Sequence, residues 1–81
     1  MARLPRAEAE QHLKAFKRAG WEVARITGSH YILVKVGVEF HLSIPYHRGQ
    51  MVKLGLLKGL LQDANLTNDE YMALFYGNKI K

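Results

Sequence analysis

Cysteine is absent from this 81-residue chain. That excludes disulfide cross-links, a thiolate metal site and a cysteine nucleophile. A secreted chain this small usually needs bridges to hold its core, so a cytoplasmic home is expected. No apolar run approaches the roughly 20 residues a membrane helix needs, and no membrane association is predicted. The opening Met1-Ala2-Arg3-Leu4-Pro5-Arg6 turns polar at once, which does not fit a signal peptide. Walker-type glycine loops are missing too. Acids are few, 7 against 12 basic residues, for a net charge of +5. A compact basic domain favours polyanions: nucleic acid, an acidic membrane surface or an acidic protein.

What is present suits one small globular domain spanning residues 1–81. Hydrophobic residues make up 48% of the chain, too many for disorder. Ala9, Leu13 and Phe16 recur at helical spacing, with acids early and bases late, as the helix dipole prefers. Pro5 is compatible with a first turn and Gly20 with a stop, which predicts a helix from about Arg6 to Ala19. Two strands follow, Trp21 to Ile26 and Tyr31 to Val36, across the turn Thr27-Gly28-Ser29. Gly37 marks a tight hairpin into a third strand, Val38 to Ile44, with Val38, Phe40, Leu42 and Ile44 inward. A second helix is expected from about Lys53 to Ala64, weakened by about 1 kcal/mol at each of Gly55 and Gly59. Thr67-Asn68-Asp69-Glu70 reads as a capping box, with Leu66 and Tyr71 spaced as a hydrophobic staple, for a last helix to about Tyr76. The predicted class is α+β: a three-stranded antiparallel sheet with helices packed on one face, order α-β-β-β-α-α.

Four histidines could carry chemistry. His12 reads as a solvated residue of the first helix, and His41 as a residue of the wet face of strand three. His30 is different, because it follows Gly28-Ser29 at the mouth of strand two, where a glycine lets a backbone or a phosphate come close. It also shares strand parity with Ile32, Val34 and Val36, so a place at the rim of the core is the competing reading. A hairpin turning at Gly37 puts His30 opposite Ile44, with His47 about three residues further, roughly 10 Å if extended. One sheet edge then collects Arg25, Ser29, His30, His47, Arg48 and Lys53. Two imidazoles amid cations suit a phosphodiester: a neutral imidazole can take a proton near pH 7, and cations stabilise the developing phosphorane charge. No carboxylate stands beside His30 or His47 in the sequence and no histidine pair has ligand spacing, so neither a metal nor any other cofactor is predicted. A Ser-His-Asp triad lacks its acid.

The same residues resemble a known family. Gly20-Trp21-Glu22-Val23-Ala24-Arg25-Ile26-Thr27-Gly28-Ser29-His30 resembles the Gly-aromatic…Arg-x-x-Gly-Ser-His signature of HicA-type toxins. Ile44-Pro45-Tyr46-His47-Arg48-Gly49 is similar to their Val-Pro-x-His-x-Gly segment, and Gly55 through Thr67 to their Gly-Thr-Leu-x-x-Ile-Leu-x-x-Ala-Gly-Leu-Ser stretch. The likeness runs from about Leu4 to Phe75. It implies a double-stranded-RNA-binding-like fold, an mRNA interferase activity in a toxin–antitoxin pair, mRNA as substrate and a HicB-type antitoxin as partner. The family's essential histidine falls on His30. The chain departs from the pattern at Val36-Gly37-Val38, shorter and more apolar than the family's polar turn, at Asn65 in place of glycine, and at Leu56 in place of threonine.

Three readings follow. The first is a metal-independent endoribonuclease toxin, with His30 as general base on the ribose 2′-hydroxyl and Arg25, Ser29, His47, Arg48 and Lys53 holding the phosphate. The second is a non-catalytic basic RNA-binding domain. The third is an interaction module for an acidic protein.

Overall fold

A computed structural model describes residues 4–77. The run Met1-Ala2-Arg3 that opens the chain lies outside them. The element order is α1 (Ala9–Arg18), β1 (Glu22–Thr27), β2 (His30–Val34), β3 (Leu42–Pro45), α2 (Leu54–Ala64) and α3 (Asn68–Phe75). The sheet is antiparallel with β2 in the middle, and the helices cover one of its faces.

α1 starts three residues later than its hydrophobic spacing predicts. Leu4 and Ala7 are buried in an extended segment instead. There the Val52 amide donates to the Ala7 carbonyl at 2.8 Å, and Glu8 bridges to Met51. Pairing with the 51–52 segment therefore satisfies backbone groups that a longer helix would have used. At its other end α1 closes as expected. Gly20 takes φ +102, the Gly20 amide donates to Lys17 and the Trp21 amide to Phe16. This is the Schellman arrangement, and it turns Trp21 into the core. Asn65 does the same for α2 at φ 60, with the Leu66 amide donating to Leu61. The departure from glycine at this position thus keeps the left-handed cap.

The capping box at α3 is complete. The Glu70 amide donates to the Thr67 hydroxyl at 3.0 Å, and the Thr67 amide to the Glu70 carboxylate at 2.9 Å. Leu66 and Tyr71 join the same core. Thr67→Ala should therefore cost about 1 kcal/mol. A thermal melt should show that as a Tm lowered by roughly 4–8 °C.

The second hairpin corrects the sequence reading. β2 stops at Val34 and β3 begins only at Leu42, so residues 35–41 form a loop rather than a tight turn with a long third strand. Within it the Val38 amide donates to the Lys35 carbonyl and Gly37 takes φ +86. Val36 stands 97% exposed. Phe40, expected inward, is half exposed and leans on Trp21 with ring centroids 6.3 Å apart. The large indole is itself buried, with Lys35 over it at 6.0 Å, and the loop conformation leaves Phe40 at its edge.

His12 is the other correction. It is not solvated: its exposure is 0%. It lies three residues from Ala9 and four from Phe16, on the buried face of α1. Its Nδ1 hydrogen-bonds the Tyr71 hydroxyl at 2.5 Å, and its ring packs against Phe75. Burial pulls its pKa from 6.5 down to about 4, offset only in part by the Ala7 carbonyl. The Tyr71 hydroxyl is pushed up, again by burial. A neutral ring hydrogen-bonded to a neutral phenol is the state that fits both directions. Nearby, the Arg18 guanidinium donates to the Leu74 and Phe75 carbonyls at 2.6 and 3.2 Å, so α1 also holds the carboxyl end of α3.

Candidate active site

Register decides where His30 looks. It pairs with Pro45, not Ile44, and the neighbouring pairs are Tyr31 with Ile44 and Leu33 with Leu42. Successive strand side chains alternate between faces. Tyr31, Leu33, Leu42 and Ile44 pack into the core, so His30 belongs to the opposite, uncovered face. It is exposed. The one-residue difference from the expected register is enough to move every β2 side chain to the other face.

A β-bulge then decides where Arg25 looks. Val23 pairs with Leu33, but Arg25 pairs with Ile32, leaving Ala24 as the extra residue. Without the bulge Arg25 would sit over Tyr31, on the helix-covered side. With it, Arg25 shares the face turned away from the helices with Thr27 and His30, all three exposed, and with Ile32, which is buried among its neighbours there. Arg25 and His30 are diagonal neighbours across the β1–β2 pair, a relation that spaces residues about 7–8 Å apart. Both are exposed. Thr27 is directly opposite His30 across a two-residue turn in which Gly28 takes φ +54. That value is one a side chain with a Cβ rarely adopts.

Ser29 is fixed through its backbone. Its carbonyl accepts from the Tyr46 amide at 2.5 Å, which carries strand-like pairing one step past β3. The Tyr31 and Tyr46 rings meet at 5.3 Å behind this corner. The Tyr31 hydroxyl is raised above its ordinary pKa by burial first, then by the Glu10 carboxylate and Tyr46. This hydrogen bond is what brings the His47 loop to the His30 edge.

Beyond Tyr46 the chain turns tightly. The Gln50 amide donates to the His47 carbonyl at 2.9 Å, and Gly49 takes φ +78, as the third position of a type II turn requires. Arg48 is exposed at the second position of that turn. His47 and Lys53 line one cleft of about 280 Å³ together with Pro45, the partner of His30. Lys53 also opens α2, whose first turn contains no acid and whose cap makes no side-chain hydrogen bond. That leaves the positive end of the helix dipole uncompensated.

The expected cluster therefore forms two connected groups. Arg25, Thr27 and His30 share the open sheet face. His47 and Lys53 line a cleft that begins at Pro45, and Arg48 projects from the turn between them. His41, expected on the wet face of a strand, lies in the 35–41 loop and is exposed. Thr27, Pro45 and Tyr46 escaped the sequence reading. Antiparallel pairing in the correct register would have found the first two. Among the described residues, no three histidine, aspartate or glutamate side chains are grouped to hold a metal ion.

A family model described as HicA toxin of bacterial toxin-antitoxin matches residues 9–66. This chain belongs to the HicA toxin family. The match takes in both groups of candidate residues and runs from α1 to the end of α2, leaving α3 outside it. Comparison with curated proteins gave no match, and comparison with solved structures gave none. Among the described residues, no helix of this HicA family member is long and apolar enough to cross a membrane.

Proposed function

We propose that the protein is the toxin of a type II toxin–antitoxin pair, a metal-independent endoribonuclease acting on mRNA in the cytoplasm. The observation that carries this reading is the solvent-open His30, held at a hairpin mouth on the same sheet face as the Arg25 guanidinium. Membership of the HicA family supports it.

In the proposed step a neutral His30 imidazole takes the proton of a ribose 2′-hydroxyl. The freed oxygen attacks the adjacent phosphorus, and the bond from phosphorus to the 5′-oxygen breaks. The products are a 2′,3′-cyclic phosphate and a 5′-hydroxyl, the latter completed by a proton from water. Arg25 stabilises the charge that builds on the phosphoryl oxygens. Ser29, His47, Arg48 and Lys53 hold the flanking backbone. No side chain is assigned as a dedicated acid, so catalysis rests mostly on positioning and electrostatics, and turnover should be slow. A HicB-type antitoxin would silence the toxin by covering the His30 edge, which excludes RNA.

The test is direct. Purified protein with RNA and excess EDTA should yield fragments ending in 2′,3′-cyclic phosphate. Intact RNA that is merely retarded, in a salt-dependent way, would assign the protein to RNA binding without cleavage.

A further inference from the structure

Two adjoining clefts lie beside the His30 edge. The first, about 280 Å³, starts at Pro45, directly across from His30, and passes His47 and Gln50 to Met51 and Leu56. The second, about 320 Å³, shares Met51 and Lys53 and extends to Arg6. Together they make one groove leading away from the candidate active site. Its wall is apolar where Met51, 62% exposed, and Leu56, 40% exposed, come to the surface. Its polar groups are the His47 imidazole, the Gln50 amide and the cations Lys53 and Arg6. No carboxylate lines either cleft. Glu8 bridges to Met51 through the backbone but lines neither.

Exposed apolar side chains set among cations have a specific use. A flat, apolar base can lie on the thioether and isobutyl groups, while its phosphate meets the charges. A carboxamide offers both donors and an acceptor to a base edge. We infer that this groove takes one unstacked nucleobase with its following phosphate, so that the substrate is single-stranded RNA. The base rests against Met51 and Leu56 with the Gln50 amide at its edge, and Lys53 and Arg6 grip the next phosphate. Duplex RNA keeps its bases stacked and presents its shape and 2′-hydroxyls instead. A cleft this small accepts a single base and no helix. The inference takes RNA as ligand from the reading above, but does not depend on His30 performing chemistry. Arg6 is thereby a binding residue lying outside the family match.

Binding should be measured with His30→Ala protein, which keeps the RNA intact, against a labelled single-stranded oligoribonucleotide and a duplex containing the same sequence. The single strand should bind at least ten times more tightly. Adding Met51→Ala should weaken single-strand binding about fivefold or more and erase most of the preference over duplex. Gln50→Ala should flatten differences among oligonucleotides that vary at one base. Arg6→Gln should reduce the slope of log affinity against log salt by about 0.7. Lys17→Gln, an equal loss of charge on the far part of α1, should leave that slope alone. Duplex binding as tight as the single strand, or groove variants that bind like their parent, would overturn the inference. Wild-type cleavage is followed in parallel. Cleavage without any effect of the groove variants sinks the groove alone. Groove-dependent binding without cleavage sinks the nuclease reading alone. No binding of RNA at all sinks both.

Discussion

His30→Ala should lower the rate of RNA cleavage by about 10²–10⁴-fold, the range that a positioned general base contributes. The protein should remain folded, since the ring is exposed. Surface changes of this kind usually stay within about 0.5 kcal/mol of stability. RNA affinity should change by no more than a few-fold, because the proposed phosphate contacts are those of Arg25, His47, Arg48 and Lys53. The combination is diagnostic: lost turnover with retained binding and an unchanged melt. His30→Gln should behave like His30→Ala, because an amide can hydrogen-bond a hydroxyl but cannot keep its proton. Arg25→Gln should depress turnover as well, and Arg25→Lys should restore only part of it, because a point charge lacks the planar fork. If His30→Ala cleaves within tenfold of the wild type, the base lies elsewhere. His47→Ala would then be the variant to make, as the second imidazole on the connected cleft.

Much of this architecture is legible in the sequence because its signals are local. The caps at Gly20, Asn65 and Thr67 depend on residues within one turn of each helix end, and they form as their chemistry requires. The Gly28-Ser29 turn and the candidates that flank it are local too. What the sequence did not disclose depends on partners far along the chain. His30-Tyr31-Ile32-Leu33-Val34 is apolar on both parities after its histidine, so alternation cannot say which set faces the helices. Only the pairing with β3 decides, and the 35–41 loop sets that pairing one residue away from a tight turn at Gly37. The same shift moves His30 from the rim of the core to the open face, which is the placement a catalytic role needs. The bulge at Ala24 carries no strong signal of its own, yet it turns Arg25 to the same side. Two long-range features thus assemble what the motif only names. His12 is the converse case. Its spacing from Ala9 and Phe16 already put it on the apolar face of α1, and the polarity of imidazole hid that.

Acidification should unfold this protein earlier than its carboxylates require, and His12 is the reason. Its pKa falls from 6.5 to about 4 on folding, because burial penalises the charged ring. Between those values the unfolded chain binds a proton that the folded chain refuses. Stability from this group is therefore complete above about pH 6.5 and is lost as the pH falls toward 4. The full difference amounts to about 3 kcal/mol, and about 2 kcal/mol of it should be gone on going from pH 7 to pH 5. For a domain this small that is a large share of the total. The charged ring would be enclosed by Tyr71 and Phe75 of α3, so α3 should be the first element released. Urea denaturation at pH 7 and pH 5 measures the loss directly. The single variant His12→Leu confounds it, since it strands the buried Tyr71 hydroxyl without a partner. The double variant His12→Leu with Tyr71→Phe removes both polar groups together. Such a pairwise replacement is often close to neutral at pH 7, and it should nearly abolish the difference between pH 7 and pH 5. A double variant that loses as much stability at pH 5 as the wild type would assign the acid sensitivity to other groups and leave His12 a packing residue only.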